Sequence, residues 1–129
     1  MIYNLVQYLI TELPSLVFIA NGWSPDSPIE SIAIKQTGGG VSHYDVRTDF
    51  SVQVLSRAKS STIAYKQIKQ VFNLLKNRFG LELPSVTVDG DLYVAVQTYQ
   101  ISPMQEPGYI EADEKNLELW SYNMIITTT

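Results

Sequence analysis

The stretch Tyr44-Asp45-Val46-Arg47-Thr48-Asp49-Phe50-Ser51-Val52-Gln53-Val54-Leu55-Ser56-Arg57 decides the fold. Its even positions hold Val46, Thr48, Phe50, Val52 and Val54, whereas its odd positions are mostly polar or charged. Side chains alternate between the two faces of a strand, so this pattern predicts a long strand with one buried face. Lys59-Ser60-Ser61 follows, and a serine hydroxyl is well suited to accept a hydrogen bond from the first turn of a helix. Ala64, Ile68, Val71, Phe72, Leu75 and Phe79 then recur at helical spacing, with Lys66, Lys69, Asn73, Lys76 and Asn77 on the other side. Gly80 is placed to end that helix.

Working outward, Ile2, Leu5, Val6, Leu9, Ile10 and Leu13 predict a first helix closed by Pro14. Leu16 to Ala20 reads as a short strand, and 21–28 as a turn-rich loop. Ile32, Ile34 and Gln36 begin a second strand, which the run Gly38-Gly39-Gly40 closes. On the C-terminal side, Val86-Thr87-Val88 and Leu92 to Ile101 flank Asp89-Gly90, a dipeptide typical of tight hairpins. A loop with Pro103, Pro107 and Gly108 leads to a last strand from about Asn116 to Thr127. The predicted order is α-β-β-β-α-β-β-β. Strands in runs with short turns imply an α+β fold, a mainly antiparallel sheet with two helices packed on it. At 129 residues, without an internal repeat or a long linker, residues 1–129 read as a single domain.

Composition narrows the function. Cysteine is absent, which removes disulfides and thiolate chemistry. The N-terminal helix lacks a basic leader, and its apolar positions are spaced, so it reads as neither signal peptide nor membrane span; the expectation is a soluble chain with no membrane partner. The net charge of −4 is unevenly spread. Residues 45–80 carry seven bases against Asp45 and Asp49, and residues 81–129 carry eight acids against Lys115. An acidic total argues against a protein whose main work is gripping DNA phosphates.

Candidate chemistry is sparse. His43 is the sole histidine and sits in a polar loop beside Asp45, so it supplies no multi-histidine metal site. No G-x-S-x-G elbow accompanies it. Gly38-Gly39-Gly40 lacks the Gly-Lys-Ser/Thr of a phosphate loop and reads as a connection between strands. Glu111, Asp113 and Glu114 match no calcium loop. Tyr93, Tyr99, Trp120 and Tyr122 lie on predicted strands without interleaved bases, which favours packing in the sheet over stacking on nucleobases. The expectation is a non-enzyme with no catalytic residues, cofactor or metal.

The strand 44–57 running into the helix of Ala64, the opening helix Ile2 to Leu13, and the segment Pro107-Gly108-Tyr109-Ile110-Glu111-Ala112-Asp113-Glu114 leading into Leu119-Trp120-Ser121-Tyr122-Asn123-Met124 together resemble the tail terminator, or tail completion, proteins of long-tailed bacteriophages. These are often called minor capsid or minor tail proteins, and the resemblance covers nearly the whole chain. It implies a virion protein at the head–tail junction, assembled in the host cytoplasm as a homo-oligomeric ring of six subunits. Such a ring caps the tail tube, ends polymerisation and docks to the head–tail connector protein, while DNA only passes through its lumen. Another head–tail joining component, such as a head-completion or stopper protein, stays open, as does a small ligand-binding or enzymatic α+β domain.

Three surfaces are candidates within that frame. Lys66, Lys69 and Lys76 would meet acids of a neighbouring subunit. Glu106, Glu111, Asp113 and Glu114 form an acidic loop, read either as lining the lumen or as a solvated outer rim. Gly38, Gly39, Gly40 and His43 form a loop that could order on docking. For the core, Phe50 and Val52 are expected on the face that receives Phe72 and Leu75, so that Phe50→Ala costs about 3–5 kcal/mol in equilibrium unfolding.

Overall fold

The computed structural model describes residues 1–42 and 47–129. Two helices, α1 (Ile2–Glu12) and α2 (Ser61–Leu75), accompany ten strands. Before α2 come β1 (Phe18–Ala20), β2 (Ser31–Ser42) and β3 (Thr48–Ala58). After it come β4 (Arg78–Phe79), β5 (Glu82–Leu83), β6 (Val86–Val88), β7 (Asp91–Tyr93), β8 (Val96–Pro103), β9 (Gly108–Ala112) and β10 (Glu118–Thr128). The main sheet runs β1-β2-β3-β10-β8-β4, with β9 beside β10 and β5 beside β8, and β6–β7 form a separate hairpin. Among the described residues only β1–β2 is parallel. The fold is α+β with a mostly antiparallel sheet, as predicted, although the region after α2 is divided into more and shorter strands.

Each element forms for a local reason. The α1 stripe buries Ile2, Leu5, Val6, Tyr8 and Leu9, and Leu13 leaves the helical region ahead of Pro14, whose ring disfavours a helical predecessor. Ser60 caps α2 by accepting from Ile63 N. The α2 stripe of Ala64, Ile68, Val71, Phe72 and Leu75 is buried. Alternation on β3 and β10 puts Val52 opposite Met124 and Val54 opposite Tyr122. Both helices close over this face, giving one cluster that includes Leu5, Leu9, Ile34, Ile68, Leu75, Ile101 and Ile126. Phe72 meets the Tyr122 ring edge-on at 5.3 Å. Burial drives the Tyr122 phenol far above the usual tyrosine range, so it stays neutral. Within α2, Gln67 is buried and bonded: its Nε2 donates to Ser56 Oγ at 2.9 Å, and Ser56 Oγ donates to Ala64 O. Among the described residues no helix is long and apolar enough to cross a membrane.

Four expectations are corrected. The helix ends at Leu75, not at Gly80, because the chain turns out of the helix at Lys76 and takes a left-handed conformation at Asn77 (φ 53°). Phe79 therefore leaves the apolar stripe and stands 65% exposed on β4. The run Gly38-Gly39-Gly40 lies inside β2 and does not close it. Register shifts flank it, between Gln36 and Gly38 and between Gly39 and Val41, so the glycines build bulges. At Gly39 (φ 112°) a Cβ would sit 2.5 Å from Asp49 O and from Phe50 Cα, which excludes any side chain. Phe50 is half-buried, not in the core, since its β2 partner is this bare Gly39. His43, and the Tyr44 to Val46 start of the predicted strand, lie outside the described residues.

Ile68→Ala should lower unfolding free energy by about 2–5 kcal/mol in urea titration. Phe50→Ala should cost only about 1–2 kcal/mol, because part of its ring is already in water and bare Gly39 stands opposite it. Equal losses at the two sites would contradict this placement of the core.

Candidate functional site

The lysine stripe lies on the outer side of α2. Lys66 and Lys76 are exposed, and Lys69 is half-buried. Lys69 Nζ lies 4.9 Å from the Phe72 ring centroid and Lys76 Nζ 5.7 Å from it, so both ammonium groups sit over the outer side of this buried ring. Lys69 Nζ also sits 3.7 Å from Glu106 Oε1. A basic and an acidic candidate thus meet inside one chain. Glu106 is 80% exposed, so the pair contributes little to stability.

The acidic segment is only partly a loop. Glu111 belongs to β9, an edge strand whose five residues are all exposed and which pairs with β10 alone among the described residues. Asp113 holds the turn that follows, since its Oδ1 accepts from Lys115 N and Leu117 N, each at 2.9 Å. Asn116 in left-handed conformation (φ 61°) completes the tight turn into β10. Glu106, Glu111 and Glu114 are exposed, whereas Asp113 is half-buried by its turn.

An aromatic cluster covers the junction of β9, β10 and α2. Trp120 packs against Tyr65 at 4.8 Å and Tyr109 at 5.9 Å, and its Nε1 donates to Ser61 Oγ at 3.0 Å. A shallow recess of about 230 Å³ opens there between Ser61, Thr62, Tyr65 and Trp120. Tyr109 Oη donates to Glu118 Oε2 at 2.6 Å, and this bond chiefly raises the Tyr109 pKa, with some desolvation and the nearby Glu118 and Glu111 charges. The strand aromatics divide. Tyr122 is in the core, Tyr93 packs against Tyr3, and Tyr99 is exposed beneath the Arg47 guanidinium.

A cleft at the end of β3 carried no signal in the sequence. It encloses about 210 Å³ between Pro25, Ser27, Ile29, Arg57, Lys59, Lys115 and their neighbours. The Arg57 guanidinium donates to Ser27 O and Pro28 O at 3.2 and 3.1 Å and stacks 4.6 Å from the Trp23 ring. Arg57 Nε and Trp23 Nε1 are buried without a hydrogen-bond partner. Three cations from separate elements converge there because β3, its exit and the β9–β10 turn end together, a proximity that no local spacing encodes.

No cluster of three or more His, Cys, Asp or Glu side chains able to hold a metal occurs among the described residues.

Replacing Asp113 by Ala should cost about 1–2 kcal/mol, because two backbone donors lose their acceptor. Asp113→Asn, which keeps an accepting oxygen, should lose less in the same thermal unfolding series. Equal losses would mean that the carboxylate charge matters and the turn does not.

The sequence model described as bacteriophage tail terminator protein matches residues 10–129. No curated protein matches the chain.

Proposed function

Because the chain belongs to the bacteriophage tail terminator protein family, structural components of the phage tail, we propose that it caps the tail tube as a homo-oligomeric ring of six, ends tail polymerisation and joins the tail to the head connector. The observation that carries this reading is the family match across residues 10–129, nearly the full chain. The surfaces agree with it. Exposed apolar groups such as Phe79, Leu92, Val94, Met104 and Tyr109 are distributed over several edges of the fold, as contacts with more than one neighbour require. DNA passes through the ring without being gripped, which suits an acidic chain.

Within the ring, Lys66 and Lys76 act at a subunit boundary, with Lys69 already engaged by Glu106 of its own chain. Glu106, Glu111 and Glu114 repel phosphate along the lumen, while Asp113 shapes the turn that presents them. The bulged glycine segment of β2, with His43 beyond it, serves docking to tube or connector.

Purified protein added to polymerising tail tube protein of the same phage should stop elongation at substoichiometric amounts, read as tube length by negative-stain microscopy. Glu106→Lys/Glu111→Lys/Glu114→Lys should still stop elongation but should retain duplex DNA at low salt, with retention falling steeply as salt rises. Tubes that grow to the same length with and without the protein would overturn the capping role. A triple variant that ignores DNA at all salt concentrations would remove the acids from the lumen.

A further inference from the structure

The β6–β7 hairpin is an anchored projection. Its base is held by the Asn4 side-chain amide, which lies 2.9–3.1 Å from the carbonyls of Pro84, Tyr93 and Val94, and by the Tyr3–Tyr93 ring contact at 4.9 Å. Asp89 (φ 51°) and Gly90 (φ 84°) make the two-residue turn. Beyond that base, Asp89 and Asp91 are exposed, with Leu92 at 66%. The tip thus presents two carboxylates beside a bare leucine on an anchored base.

The Arg57 cleft has the complementary composition. Arg57, Lys59 and Lys115 supply positive charge, and Ile29 and Leu117 supply an apolar wall. Among the described residues the Arg57 guanidinium donates only to neutral carbonyls, Ser27 O and Pro28 O, which leaves its charge for a docked carboxylate at the mouth.

Topology keeps these two features apart within one subunit. The hairpin leaves the sheet where Leu83 pairs with Val96, next to the Thr98–Thr128 and Thr128–Thr48 pairs. The cleft lies at the opposite end of the same strands, where Arg57 faces Leu119 and Ala58 faces Glu118. The strand between Thr48 and Ala58 spans roughly 33 Å, and three-residue strands reach only about 10 Å. A tip and a cleft at opposite ends of one subunit make a heterologous pair, the contact type that closes rings.

We propose that the Asp89–Leu92 tip of one copy of this chain docks into the Arg57–Lys59–Lys115 cleft of the next, carboxylates to cations and Leu92 against Ile29 and Leu117. The inference rests on the ring reading and gives that ring a direction.

Two sets of variants test it, each checked for native circular dichroism. Lys59→Glu/Lys115→Glu spoils the cleft, and Asp89→Asn/Asp91→Asn spoils the tip, with Asn chosen because it tolerates the left-handed backbone at 89 and offers no cation to the reversed cleft. Assembly is followed by sedimentation velocity across protein and salt concentration. Each variant should need about tenfold more protein for half-assembly at low salt, about 1.4 kcal/mol, and the difference should shrink at high salt. Leu92→Ser should weaken assembly at every salt concentration. An equal mixture of the two charge variants should give a two-chain species, because one intact tip meets one intact cleft and growth then stops. Wild-type rings with unaffected variants, or a mixture without that species, would overturn the docking while leaving the ring reading intact. A wild-type chain that stays monomeric throughout would overturn both. Duplex DNA bound by the wild type and lost in Lys59→Glu/Lys115→Glu, with assembly unchanged, would assign the cleft to phosphate and overturn the docking as well.

Discussion

The antiparallel pairing of β3 with β10 is the constraint on which the remaining structure depends. It runs without a slip from Thr48–Thr128 to Ala58–Glu118. Because side chains alternate, a one-residue slip would send Val52, Val54, Tyr122 and Met124 to the open face and leave both helices without a floor. The same register sets the length of the sheet. It holds the hairpin β6–β7 at one end and the Arg57 cleft at the other, so the spacing of the proposed assembly surfaces follows from core packing.

Charge is arranged on this frame differently from its distribution along the chain. The basic middle and the acidic C-terminal third suggest two opposed faces, but folding interleaves them. Lys69 meets Glu106 across the surface, and Lys115, the one base of the acidic third, joins Arg57 and Lys59 at the cleft. Asp113 commits its carboxylate to backbone donors. Exposed ion pairs contribute little to stability, so these charges bear on orientation and partner choice more than on folding.

Legibility in the sequence followed periodicity. Alternation in β3 and β10 and the apolar stripes of α1 and α2 were readable because each repeats over several turns or pleats, and the Ser60 cap and the Asp89-Gly90 turn carry their own local chemistry. What escaped depends on partners distant in the chain. Gly38-Gly39-Gly40 looks like a break, yet it continues as strand because β3 approaches Gly39 too closely for any side chain. Phe79 fits the helical stripe by spacing, but the turn at Asn77 comes first. β9 has no buried residue and so no hydrophobic alternation to reveal it. The lysine stripe was readable as an exposed helical face, whereas the Arg57 cleft, assembled from 24–29, 57–59 and 115–117, has no linear signature.

The central claim is that this 14.5 kDa tail terminator family member works as a ring built from heterologous contacts. Native mass measurement of the purified wild-type chain across concentration, paired with negative-stain imaging, tests it most directly. The account predicts a closed particle of six chains with a central opening, favoured as salt falls. A monomer at every concentration and salt, or a two-fold dimer that grows no further, would contradict it.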